Sequence, residues 1–360
     1  MTPVDHTLRT RLVFGRGSIR QTGRIARELG FRRTLVVADH GMDGGGYVDI
    51  VAQVLATEGI GTAVWQDFGV NPDSAMAEQG RAFAAGLDVD SIIGLGGGSS
   101  LDMAKAVSFL LTNGGAMQDY WGYGKAARPL LPMIGIPATT GTGSEAQSYA
   151  LISDATTHVK MACGDPTAAF RVAILDPEIT LTQPPAVRAT AGYDAISHAV
   201  ESFVTTKRNA ISDLYSRQAW RLLNRSFAAS AGLESNADLQ LGAWFAGCAI
   251  EASMLGAAHA CANPLTARYG ITHGAAIAAM LPHVVRWNQQ EAYAELHPDL
   301  PRRLEELGEA AGIRKPLRAL GVDSRALSQL ASDAAKQWTG QHNPRPFDAA
   351  AALELYQCAY

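Results

Sequence analysis

The first half of the chain alternates two hydrophobic patterns, and few folds accommodate that alternation. Short β-rich runs occur at Arg11–Phe14, Thr34–Ala38, Thr62–Phe68, Ser91–Leu95, Leu131–Ile136 and Val172–Leu175. Helical stretches fall between the earlier ones, at Tyr47–Glu58, Ser74–Ala85 and Leu101–Leu111. Strands alternating with helices predict a mostly parallel sheet with helices on its faces. After Pro184-Pro185 the strand-like runs stop. Long Ala/Leu-rich segments follow at Val187–Thr205, Ile211–Ala231, Leu239–Ala262, Ala275–Trp287 and Leu304–Gly312, and they predict a helical domain. The reading is an α/β N-terminal domain over residues 1–182 and an all-α C-terminal domain over 183–360, divided near Leu181–Pro185. No low-complexity linker separates them, so the halves are expected to meet across a cleft, a common place for a ligand.

Composition narrows the function classes. With 47% hydrophobic and 18% charged residues, 360 residues supply a large core. A net charge of −4 argues against a nucleic-acid partner. No basic segment followed by an apolar run opens the chain, and no apolar stretch reaches membrane-spanning length, so neither a signal peptide nor a membrane span is expected. Cys163, Cys248, Cys261 and Cys358 are scattered without a Cys-x-x-Cys. That fits a reducing cytoplasm better than a disulfide framework.

Two regions carry chemistry. The run Ser91-Ile-Ile-Gly-Leu-Gly-Gly-Gly-Ser-Ser-Leu-Asp102 leads a strand into Gly96, Gly97 and Gly98, after which Ser99 or Ser100 can cap a helix that continues through Lys105. Glycines let phosphate approach the backbone, and a helix start offers free N–H groups. The alternative is a tight turn without a ligand, because Ser99 stands where the usual fingerprint has its last glycine. Thr139, Thr140, Thr142 and Ser144, beside Gly141 and Gly143, either line the same phosphates and ribose or form a hydrogen-bonded turn. Asp39 closes the run Thr34–Ala38, where a carboxylate can accept adenosine ribose hydroxyls and repel a 2′-phosphate.

In the helical half, Asp194 and His198 stand at i and i+4 with apolar flanks, one above the other on a helix face. A buried Asp–His hydrogen bond would account for that pair alone. His259, near the end of the Leu239–Ala262 helix that Asn263-Pro264 is expected to terminate, and His273, at a helix start, shift the balance. One carboxylate and three imidazoles in apolar surroundings suit Fe2+ or Zn2+.

At these residues the chain resembles the iron-containing alcohol dehydrogenase family over nearly its whole length. The resemblance rests on Gly96-Gly97-Gly98-Ser99-x-x-Asp102-x-x-Lys105, Pro137-x-Thr139-Thr140-Gly141-Thr142-Gly143-Ser144-Glu145, Gly192-x-Asp194-Ala195-x-x-His198-Ala199-x-Glu201, and His259 through His273-Gly274. Asp176-Pro177 and Asn343-Pro344-Arg345 also match. It implies a nucleotide-binding α/β domain and a helical metal-binding domain, the dehydroquinate synthase-like architecture, with the metal in the cleft. It further implies Asp194, His198, His259 and His273 as ligands, Fe2+ before Zn2+, and NAD(H) held by the glycine and threonine turns. Asp39 stands where NAD-preferring members carry Asp, and Lys160 matches a lysine that contacts the cofactor ribose.

The chain departs from the family in its second half. Asn263 replaces a histidine often assigned to proton relay, Thr266 replaces a glycine, and Arg268 stands where an apolar residue is common. Met254, Asn263 and Arg268 are the candidate substrate contacts, with Arg268 expected in the loop between the two late ligands, His259 and His273. The activity implied is hydride transfer between a small alcohol or aldehyde and nicotinamide. The alternatives are a reductase of an acidic aldehyde (carboxylate, sulfonate or phosphonate) or of a maleylacetate-type substrate, and less so an NAD-dependent lyase. A homodimer is the expected assembly.

Overall fold

The computed structural model describes residues 6–360; residues 1–5, the start of the expected N-terminal domain, lie outside the described residues. The α/β part contains strands β1 (Arg11–Phe14), β2 (Arg33–Ala38), β3 (Gly61–Trp65), β4 (Ser91–Gly96), β5 (Gly122–Tyr123), β6 (Met133–Pro137), β7 (Tyr149–Ser153), β8 (Lys160–Gly164) and β9 (Val172–Leu175). Its helices are α1 (Thr22–Glu28), α2 (Tyr47–Thr57), α3 (Ser74–Ala84) and α4 (Gly98–Asn113). Six strands form a sheet in the order β1-β9-β6-β4-β2-β3, every neighbouring pair parallel.

Side-chain alternation explains why β2 reads as an unbroken apolar run. Leu35 and Val37 join a core with α3 and α4, while Val36 and Ala38 join another with α1 and α2. A parallel sheet covered on both faces requires that. From β2 the chain passes through α2 to β3 at the sheet edge, then returns through α3 to β4 on the other side of β2. In an open α/β sheet, ligands bind beyond the strand C-termini at such a reversal. Asp39 follows β2 and Gly97 follows β4, so both candidate cofactor elements flank it.

A second sheet, β5-β8-β7, was not expected from the sequence. The helix beginning at Leu101 in the sequence reading starts instead at Gly98 with Gly97 as its N-cap, so Ser99 and Ser100 lie inside the first turn and cap nothing.

The helical part contains α5 (Pro185–Ser202), α6 (Ala210–Ser226), α7 (Leu233–Ala252), α8 (Ala257–Tyr269), α9 (His273–Asn288), α10 (Leu300–Ala310), α11 (Leu327–Ala334) and α12 (Ala349–Ala359). One large apolar core joins them. The expected helix Leu239–Ala262 is two helices, α7 and α8, bent by 107°. Pro264 does not end α8 but sits inside it, and the helix runs on to Gly270 in the left-handed conformation (φ 64°). Proline removes one ladder bond there, but Ala257–Ala262, Pro264 and Leu265 are all buried, and packing decides helix stability more than propensity does.

Compactness groups Pro184–Tyr360 with Thr140–Gly143, and Thr7–Thr139 with Ser144–Gln183. The threonine turn thus belongs in part to the helical unit. A Cβ on Gly141 would lie 2.1 Å from the Ala191 carbonyl oxygen of α5, and one on Gly143 would lie 2.6 Å from that of Ala243 in α7. Among the described residues no single helix is long and apolar enough to cross a membrane.

Candidate active site

Three helices bring the four proposed ligands together. Helix α5 carries Asp194 and His198 on one stripe. The break before α8 puts His259 in that helix's first turn, and His273 is the first residue of α9. Asp194 Oδ1 lies 3.4 Å from His198 Nε2, 3.5 Å from His259 Nε2 and 3.5 Å from His273 Nε2. A tetrahedral ion about 2.1 Å from each ligand spaces neighbouring ligand atoms about 3.4 Å apart. Among the described residues, Asp194 Oδ1 and His259 Nε2 are buried and have no hydrogen-bond partner. Burial of such atoms costs free energy unless something meets them, and a divalent cation meets both. The donor set therefore fits the expected metal.

The charge environment agrees. Burial alone would raise the Asp194 carboxyl, but His198, His273 and His259 beside it hold it well below the usual carboxylate range. Burial pushes the His198 imidazole down to about 4, the neutral form a ligand requires. His259 differs: burial acts the same way, but Glu201 and Asp194 outweigh it and raise the imidazole to about 9, so a metal has to displace the Nε2 proton to bind there.

Glu201 is the residue the sequence reading quoted without a role. It lies three residues after His198 and seven after Asp194, on the same face of α5. It is 3% exposed. One oxygen pairs with His259 Nδ1, and the other accepts the Ala258 N–H at 2.8 Å.

At the sheet's reversal point, Gly96 adopts φ +136°, and a Cβ there would lie 2.3 Å from Asp39 Oδ2. Asp39 Oδ2 accepts from Ser100 Oγ at 2.8 Å and Gly97 N at 3.3 Å, and Oδ1 accepts from Gly41 N at 2.9 Å. A carboxylate offers about four lone-pair sites. This arrangement leaves one for a ribose hydroxyl, where the sequence reading asked for two. The Gly98 and Ser99 amides, in the first turn of α4, have no acceptor within the helix and remain for an anion. Thr139 lies beside Gly97, whose Cβ would contact its methyl at 3.4 Å. Thr140 is buried and Thr142 half-buried, both within the helical grouping. Lys160 opens β8, and its charge lowers the Asp102 carboxyl, which burial raises.

Lys105, quoted only as a motif member, is fully buried. Its ammonium donates to the Ser144, Gln147 and Tyr149 carbonyls at 2.8, 2.8 and 2.7 Å. It holds the segment that follows the threonine turn.

The candidate substrate residues separate. Met254 is buried in the break between α7 and α8. Asn263, one turn after His259, donates to Gln337 Oε1 at 3.0 Å. Arg268 is not in a loop. It lies in the last turn of α8, nine residues after His259 or about 13 Å along the axis, and its Nε donates to Asp333 Oδ2 at 2.7 Å. Its guanidinium is engaged rather than free for an anionic substrate.

Residues 9–177 match the family model "Iron-containing alcohol dehydrogenase", and residues 188–360 match "Fe-containing alcohol dehydrogenase family, C-terminal". The chain belongs to the iron-containing alcohol dehydrogenase family. It is 33% identical over 351 residues to alcohol dehydrogenase 4 of Schizosaccharomyces pombe, covering 92% of this chain and 83% of that one. It is 28% identical over 356 residues to the NAD-dependent methanol dehydrogenase of Bacillus methanolicus, covering 92% and 93%. The crystal structure of a 1,3-propanediol oxidoreductase superposes with a TM-score of 0.95 at 28% identity over 100% of both chains. The chain is an enzyme of the alcohol dehydrogenase class, and its family implies NAD and an iron-type metal.

Proposed function

We propose that the chain interconverts a small neutral alcohol and its carbonyl compound by hydride transfer with NAD(H), using Fe2+ in preference to Zn2+ held by Asp194, His198, His259 and His273. The observation that carries this reading is the set of three imidazole Nε2 atoms 3.4–3.5 Å from one unpartnered carboxylate oxygen. When bound, the metal supplies Lewis acidity toward a substrate oxygen and the nicotinamide supplies or takes the hydride. Asp194 contributes the negative charge among the ligands, and the three imidazoles complete the set. Glu201 orients His259. Asp39, fixed by three donors, presents a carboxylate that a 2′-phosphate would meet as a like charge. The Gly98 and Ser99 amides face the pyrophosphate at the start of α4. An amide cannot take and release a proton at neutral pH, so Asn263 positions rather than relays. All four cysteines are free, which supports a reducing, cytoplasmic setting.

The Arg268–Asp333 pair favours a neutral substrate over an acidic aldehyde. The test loads the purified protein anaerobically with Fe2+ or Zn2+ and follows NADH absorbance with a panel of aldehydes, beside elemental analysis. One metal per chain and NADH oxidation are expected, and His259→Ala should lose both. Full metal occupancy in that variant, or no NADH oxidation by wild type with any aldehyde, would overturn the reading.

A further inference from the structure

We propose that Glu201 and Asn343 form a buried bracket that sets the position and tautomer of His259. They act as positioning residues that tune metal affinity without touching the metal. The inference rests on the reading that Asp194, His198, His259 and His273 hold a divalent cation.

The break between α7 and α8 leaves the first amides of α8 without helical acceptors, at a place where Ala257 and Ala258 are fully buried. The N-cap, Gly256, has no side chain to offer them. Two distant side chains meet the need. Asn343 Oδ1 accepts from Ala257 N at 3.2 Å, and Glu201 Oε1 accepts from Ala258 N at 2.8 Å. A carboxylate at a helix N-terminus also offsets the positive end of the helix dipole, which otherwise points toward a cation site.

The same carboxylate reaches the next residue. Glu201 Oε2 pairs with His259 Nδ1. A carboxylate accepts only, so Nδ1 carries the hydrogen, and Nε2, 3.5 Å from Asp194 Oδ1, is the nitrogen left to give its lone pair to a cation. The opposite tautomer would aim a hydrogen at the ligand cluster and set a lone pair against the carboxylate.

Asn343 is itself held. Its Nδ2 donates to Asn288 Oδ1 and to the Arg345 carbonyl, both at 2.8 Å. Arg345 stacks its guanidinium 4.0 Å from the Trp287 ring centre and donates to the Trp287 carbonyl at 2.7 Å. Trp287 and Asn288 end α9, the helix that begins with His273. The Asn343-Pro344-Arg345 motif thereby ties the start of α8 to α9. Gly256 shows how closely the bracket fits: a Cβ there would lie 2.9 Å from Asn343 Oδ1 and 3.1 Å from Glu201 Oε1.

The experiment measures Zn2+ affinity by competition with a chromophoric chelator and the visible absorption of the Co2+-loaded protein. Wild type, Glu201→Gln and Gly256→Ala are compared, with far-ultraviolet circular dichroism as the folding control. The glutamine oxygen can serve one of the two donors while its NH2 opposes the other. Loss of such a ligand-orienting partner typically weakens metal binding about 10- to 100-fold. That loss, with an altered Co2+ spectrum and unchanged dichroism, is expected for Glu201→Gln. Gly256→Ala keeps both acceptors and displaces them, so a smaller loss of about tenfold is expected, and it tests the bracket even if Glu201→Gln fails to fold. Unchanged affinity and an unchanged Co2+ spectrum in the folded variants would overturn the proposal while leaving the metal site standing. A wild type that binds neither Zn2+ nor Co2+ would overturn both.

Discussion

Replacing Lys105 with methionine removes a buried cation without emptying its space. Lys105 is fully buried, and its ammonium donates to three backbone carbonyls within 2.8 Å, with Ser144 Oγ at 3.3 Å. It also lies 5.1 Å from the Phe170 ring centre, and its charge opposes the rise that desolvation imposes on the Asp102 carboxyl. A hydrogen bond to a charged group contributes about 1.5–3 kcal/mol. Three do not add in full, because the ammonium's own desolvation opposes them. Deleting the ammonium leaves three carbonyls without their donor, at about 1–3 kcal/mol each when buried, and after the offset a loss of about 3–5 kcal/mol is expected for Lys105→Met. Lys105 and its acceptors all belong to the α/β unit, so the urea transition of that unit should move while the helical one stays. With a slope near 2 kcal/mol per molar, the midpoint falls by roughly 2 M. A loss below about 1 kcal/mol would refute the reasoning, because it would mean the carbonyls find equal partners without the ammonium.

Asp39→Gly should narrow the preference for NADH over NADPH and raise KM for NADH, since the carboxylate both repels a 2′-phosphate and ties Gly97 to Ser100; a wild type that uses the two cofactors equally would contradict this. Burial raises the Glu145 carboxyl to about 7 from an ordinary 4.5. The folded chain then keeps a proton the unfolded chain has released, so this contribution is complete below about pH 4.5 and lost as pH rises through 7, by about 3 kcal/mol. Glu145→Gln should flatten the difference in urea stability between pH 5 and pH 8, and an unchanged slope would exclude Glu145 as its source. Arg268→Met should alter stability by no more than about 1 kcal/mol, as for other exposed ion pairs, and should affect acidic and neutral aldehydes alike; a selective loss on acidic ones would return the guanidinium to the substrate site.

What the sequence shows most directly is local and periodic. Asp194 and His198 are visible as a pair because a spacing of four places both on one face of a helix, and the inner strands β2, β4, β6 and β9 are visible because burial on both faces leaves them largely apolar. The central strand of the second sheet, β8, is not visible, because Lys160-Met-Ala-Cys-Gly164 contains no β-branched or aromatic residue to mark a strand. The break between α7 and α8 is hidden for a different reason. Ser253 and Gly256 are weak signals within an apolar run, and Pro264 is a strong signal in the wrong place. The break is stabilised by acceptors 57 and 86 residues away from the amides they serve, Glu201 and Asn343. Arg268 follows the same rule, since its partner Asp333 lies 65 residues on. His259, which local pattern placed near the end of a helix, lies instead in the first turn of one. That difference gives Glu201 its role: only from a first turn can His259 share one carboxylate with the amide beside it, which makes the helix start and the tautomer of the ligand a single structural decision.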